Sequence, residues 1–214
     1  MATGNDFEHV KQMYDTYKEQ ASFGVHMTFD TLEPVLFSEI LRDKGYYIKQ
    51  NDKWLLNIKP FSNTIPPKVI RKEIIDEVIA QINKVRDYGI NISHLDSHHH
   101  THASLLGLSI MDDIIKKSGI SKIRRMRNLC CRKRWIRNTW MGYMSICSSA
   151  KSTDYFCGFK EFVKSNAFKS LKDNDIVELM CHPGDERLRE ENEMIEQNIL
   201  TRLCQCKLVT YKDI

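Results

Sequence analysis

His94, Asp96, His98, His100 and His102 alternate along His94-Leu-Asp-Ser-His-His-His-Thr-His102. In an extended strand successive side chains point to opposite faces, so this spacing predicts all five on one side. Four imidazoles and one carboxylate then lie within about 30 Å of chain. The opposite side carries Leu95, Ser97, His99, Thr101 and Ala103. Imidazole is the commonest side-chain ligand for transition metals and titrates near neutrality. Five of the eight histidines fall in these nine residues, which points to a metal centre or an acid–base site.

Two further histidines sit where such a centre would be assembled. Phe23-Gly-Val-His-Met-Thr-Phe29 alternates like a short strand, with His26 on its less apolar face. Asp175-Ile-Val-Glu-Leu-Met-Cys-His182 reads as a buried strand ending at Pro183-Gly184. Helices are expected over residues 6–22, with an apolar stripe of Phe7, Val10, Met13, Tyr14 and Tyr17, and after Pro66-Pro67, where Ile70, Ile74, Val78 and Ile82 share a face ending near Gly89. Further helices are expected over 104–117, 159–168 and 188–203, a strand over 120–126, and a hairpin joining Tyr46–Ile48 to Trp54–Leu56. Strands and helices thus alternate, and His26, the 94–102 cluster and His182 each fall at or just after a strand's C-terminal end. In parallel α/β folds active sites gather at that edge, because the βα loops converge there. Alternation alone leaves a barrel and an open sheet undecided.

The 214 residues suffice for one full core and are read as a single domain, 1–214, with the basic, cysteine-rich and poorly periodic stretch 128–153 as an insertion or lid. A net charge of +4 is compatible with an anionic partner without requiring one. Seven cysteines without a Cys-x-x-Cys pair, and an N-terminus with neither basic start nor apolar run, lead us to expect reduced thiols and a cytoplasmic protein. No apolar run is long enough to cross a bilayer. Arg124-Arg-Met-Arg and Arg132-Lys-Arg-Trp-Ile-Arg137 could track a nucleic-acid backbone. Nothing else resembles a nucleic-acid module, so they read as an exposed lid face and no nucleic-acid partner is expected.

Gly24-Val-His-Met-Thr28, the 94–102 segment and Glu178-Leu-Met-Cys-His-Pro183 resemble, in order and spacing, the signature segments of the YdjC-like carbohydrate deacetylases, and Leu208-Val-Thr-Tyr-Lys-Asp213 is similar to the closing segment of that family. The resemblance implies an α/β fold, a deformed (β/α) barrel of the glycoside hydrolase/deacetylase type. It also implies a divalent metal, magnesium first and zinc, manganese or cobalt as other candidates, and an N-acetylated saccharide as substrate, with no membrane partner and a homo-oligomer as one outcome. By position His26 and His98 match metal ligands, His182 matches a histidine beside the scissile amide, and Arg124 matches an arginine after the corresponding helix. Asp96 shares a face with His98 and suits the orientation of a ligating histidine. The family's acidic opening motif has no counterpart here, so the chain is expected to lack the first βα unit, on the order of 35 residues. The reaction implied is metal-assisted hydrolysis of an N-acetyl group. The alternative is an inactive remnant that retains only sugar or metal binding.

Overall fold

The computed structural model describes residues 1, 4, 6–30, 32–124, 129–130 and 150–214. They form two compact units, of which the first is built mainly from Met1–Ile123. It opens with helix α1 (Phe7–Tyr17) and strand β1 (Phe23–Met27). Helix α2 (Glu39–Asp43) leads into the antiparallel hairpin β2 (Tyr47–Gln50) and β3 (Lys53–Leu56). The two-residue hairpin loop is Asn51-Asp52, both at positive φ, the backbone that matches the twist of paired strands. Helix α3 (Lys68–Asp87), strand β4 (Ile92–Ser97), a 3-10 turn (His98–Ala103) and helix α4 (Leu105–Ser118) complete the unit.

Strands β1 and β4 pair in parallel, and their register sets His26 opposite Asp96. Val25 and Met27 of β1, with Phe29 just beyond it, enter the core with Leu95 of β4, Ile74 and Ile82 of α3, and Ile110 and Ile114 of α4. The apolar face of α3 is as its periodicity predicts, and Gly89, at φ 71°, follows its end. Two polar residues share that face. The Gln81 amide accepts from Thr28 N–H at 2.9 Å and donates to Thr28 O at 2.8 Å. Glu77 accepts from the Val35 and Leu36 amides. Thus α3 holds the chain on both sides of Asp30.

Helix α4 begins with Ser104, whose Oγ accepts from Gly107 N–H at 3.1 Å. Gly107 lies so close to the backbone of Thr101 and His102 that a Cβ there would collide with both. The helix is therefore packed directly onto the histidine turn.

Three expectations need correction in this unit. The strand from 92 stops at Ser97, because Ser97 Oγ accepts the His102 N–H at 2.9 Å and Thr101 Oγ1 donates to His98 O at 3.1 Å, which favours a turn over continued extension. His99 and His100 take left-handed φ of 51° and 55°, so the five alternating residues do not line one face. The stripe on α1 is not a core face: only Phe7 is buried, while Val10, Met13 and Tyr17 are each more than 40% exposed. In place of a strand over 120–126, isolated bridges join Ile123 to Leu95 and Lys122 to Lys151, and residues 125–126 lie outside the described ones.

The second unit, mainly residues 152–209, holds the parallel strands β5 (Tyr155–Gly158) and β6 (Val177–Met180). Helices α5 (Phe159–Ser165), α6 (Arg189–Glu196) and α7 (Ile199–Leu203) accompany them. The last two replace the single expected helix, with Asn198 at positive φ between them. Leu129 N–H donates to Phe156 O at 3.1 Å, and this brings Cys130 beside Cys157, to which it is disulfide-bonded. The expectation of reduced thiols fails for this pair because a backbone bond between distant residues, not sequence spacing, makes them neighbours. Cys181, Cys204 and Cys206 are free. The expected lid, 128–153, lies outside the described residues except at its ends.

The α/β class is as expected. Among the described residues the strands form three two-stranded sheets, and no helix is long and apolar enough to cross a membrane.

Candidate metal centre

His26 and Asp96 face the same side of the parallel pair because they are partners in its register. His26 Nδ1 lies 2.9 Å from Asp96 Oδ2, and Asp96 is nearly buried while His26 is one-third exposed. A carboxylate on one imidazole nitrogen fixes the ring and directs the other nitrogen outward, which is how ligating histidines are commonly held. Gly24 makes room for this arrangement: a side chain there would run into the His94 imidazole, which stacks on Tyr211 at 3.9 Å between ring centroids. His94 is thus a packing residue of the same strand pair.

His98 lies just past the end of β4, with its ring 5.7 Å from that of His26 and near-perpendicular to it. Its ring is also 3.8 Å from that of His99. Burial holds His98 below the usual imidazole range, helped by His99 and His26 and opposed by Asp30. A neutral imidazole keeps a lone pair for a cation. His99 Nδ1 in turn lies 2.8 Å from Oδ2 of Asp30, a buried residue just after β1. One ligand atom each from Asp30, His98 and His99 lies within 4.8 Å of the other two. Two imidazole–carboxylate pairs therefore flank His98. His102 is held by Ser97 within the turn, with Nδ1 2.6 Å from Ser97 Oγ, and the His100 ring lies 6.4 Å from it.

The other sequence-expected residues belong to the second unit. Arg124 Nε donates to Glu178 Oε1 at 2.7 Å, both side chains being largely buried, and its guanidinium lies over the Phe156 ring at 5.2 Å. His182 follows β6. Its backbone N–H donates to Glu191 Oε1 at 2.9 Å, and its half-exposed imidazole has Nδ1 3.9 Å from the same oxygen. Glu191 is buried on α6 and so anchors the turn that presents His182.

Comparison with known proteins sets this arrangement in a lineage. A sequence model of the YdjC-like protein family matches residues 1–211. The chain belongs to the YdjC-like family. This YdjC-like chain is 27% identical over 165 residues to a carbohydrate deacetylase of Vibrio parahaemolyticus, covering 75% of the chain and 56% of that protein. It is 30% identical over 186 residues to a carbohydrate deacetylase of Listeria monocytogenes, covering 82% of the chain and 66% of that protein. The chain therefore spans about two thirds or less of the length of these relatives. In fold it is similar to the crystal structure of an Enterococcus faecalis V583 protein named for cellobiose-phosphate cleavage. That likeness has a TM-score of 0.70 at 16% identity, covering 100% of this chain and 85% of the other.

The β1–β4 register pairs His26 with Asp96, and the turn that follows β4 brings His98 beside them. Asp30 and His99 escaped the sequence reading. Strict alternation puts His99 on the opposite face, and nothing in the sequence pattern around Asp30 singles it out. The run of three histidines was the available signal, since a strand seldom gives both faces the same polar residue.

Proposed function

We propose that this chain is the metal-dependent core of a carbohydrate deacetylase that hydrolyses the N-acetyl group of a short saccharide and releases acetate. The observation that carries the reading is His26, held at Nδ1 by Asp96, set beside the desolvated imidazole of His98. Two such imidazoles suit a divalent ion, zinc and cobalt being the better match to nitrogen donors and magnesium and manganese to oxygen donors. When bound, the ion supplies Lewis acidity that polarises an acetyl oxygen and lowers the pKa of water. His26 and His98 hold it, and Asp96 fixes the tautomer and direction of His26. His182 is assigned the proton donated to the departing amine, with Glu191 holding its backbone in place. Arg124, lying over Phe156 and paired to Glu178, is assigned the orientation of that acid or of the substrate. The fold proposed for the domain is the deformed (β/α) barrel of the family.

The relatives' names, carbohydrate deacetylase, support the reaction class. The test is acetate release from short chitooligosaccharides with added Mg, Mn, Co or Zn, comparing the chain with a His98→Ala variant. Metal-stimulated acetate that disappears in the variant is expected. Metal binding without acetate from any N-acetylated sugar would instead favour a remnant that binds and does not turn over.

A further inference from the structure

The first unit sets a buried carboxylate and a second imidazole beside His98. We propose that Asp30 and His99 bind the same divalent cation as His98. The proposal rests on the metal-dependent reading above and sets two ligands beside His98.

Three observations carry it. Adjacent residues of a strand point to opposite faces, yet the rings of His98 and His99 lie side by side at 3.8 Å. The left-handed backbone at His99 and His100 produces that convergence. Non-glycine residues seldom take this conformation, and two in succession are held only where the surroundings over-determine them. Asp30, in turn, is buried at a position braced from both sides: Gln81 binds both backbone groups of Thr28 before it, and Glu77 accepts from the amides of Val35 and Leu36 beyond it. Finally, the donors of Asp30, His98 and His99 lie within 4.8 Å of one another. Metal–ligand bonds of about 2.0–2.2 Å require ligand atoms roughly 3–4.4 Å apart, so a small inward adjustment closes the set. Two nitrogens and one carboxylate oxygen match Zn, Mn or Co better than a soft ion.

The competing role for Asp30 is to orient His99 without touching the ion, as Asp96 does for His26. A double-mutant cycle separates the two. The chelator-stripped chain would be titrated calorimetrically with Zn and, by its visible absorption, with Co. The variants are His99→Ala, Asp30→Asn, the two combined, His26→Ala and His98→Ala, each checked by melting temperature. His99 is about half exposed, so its variant keeps the test open even if Asp30→Asn folds poorly. The expected result is at least a tenfold loss of affinity in His99→Ala and a further tenfold loss when Asp30→Asn is added to it. If Asp30→Asn costs nothing in the His99→Ala background, Asp30 is no ligand and that half of the proposal falls. Wild-type affinity in both single variants, with binding lost in His26→Ala and His98→Ala, would overturn the proposal and leave the two-imidazole reading intact. No saturable binding by the wild-type chain would sink both.

Discussion

At the scale of single residues, the centre depends on carboxylates that hold imidazoles rather than on imidazoles alone. Asp96 is nearly buried and its Oδ2 meets His26 Nδ1. Replacing it with Asn keeps the volume but allows the amide to face the ring with either its oxygen or its nitrogen, so the tautomer is no longer fixed. Asp96→Asn should lower metal affinity about 10–100-fold while shifting the melting temperature little. Calorimetric titration with Zn would show this, and unchanged affinity would mean that Asp96 is a structural partner only. That His26 would come close to the 94–102 segment was legible from the placing of both at strand ends, while their assigned roles came from the family resemblance. Asp30 and His99 were not legible, because the sign of φ at a non-glycine residue leaves no mark on the pattern of polar and apolar residues.

At the scale of elements, α3 acts as a beam along which the loops around the site are fastened. Its periodicity made the helix and its apolar face readable, but Glu77 and Gln81 interrupt that face for a reason visible only once the loop bonds to them are seen. Burial raises the pKa of Glu77 above the ordinary carboxyl value, opposed by the Gln81 side chain and the amides of Leu36 and Val35. The folded state therefore binds this proton more tightly than the unfolded chain. The stability it contributes is full below the ordinary value of 4.5 and is lost as pH rises through the raised folded value. Glu77→Gln removes the proton exchange along with one acceptor. Wild type should gain in melting temperature relative to the variant on going from about pH 7.5 to about pH 5. A gap that stays constant between those two conditions would mean that Glu77 does not titrate there. The histidine turn illustrates the opposite limit of legibility: alternation predicted extension, and side-chain bonds from Ser97 and Thr101 turned the chain instead.

At the scale of the molecule, chemistry and support are divided between two bodies. The imidazole–carboxylate pairs belong to the unit built from Met1–Ile123, and His182 and Arg124 to the other. The alternation of strands and helices made the α/β class legible. Which strand segments would be short, and which cysteines would meet, depended on pairing between distant residues. The Cys130–Cys157 bond closes a separation of 27 residues, for which the chain-entropy model gives about 3–4 kcal/mol of stabilisation. Of the seven cysteines, no more than five should therefore react with a thiol reagent after denaturation without reductant, and all seven after reduction. A peptide map should place Cys130 and Cys157 in one linked fragment. Seven reactive thiols without reductant would mean that the pair is reduced in the isolated protein, as the sequence alone suggested.

The consecutive left-handed histidines bear on how such a protein would respond to selection for heat resistance. Each carries roughly 1–2 kcal/mol of backbone strain that glycine would relieve. A screen blind to chemistry would therefore reward glycine at 99 or 100, and a clone that took it at 99 would have discarded one of the paired rings. For this turn, a gain in thermal tolerance would be a reason to suspect lost function rather than a sign that the histidines were dispensable.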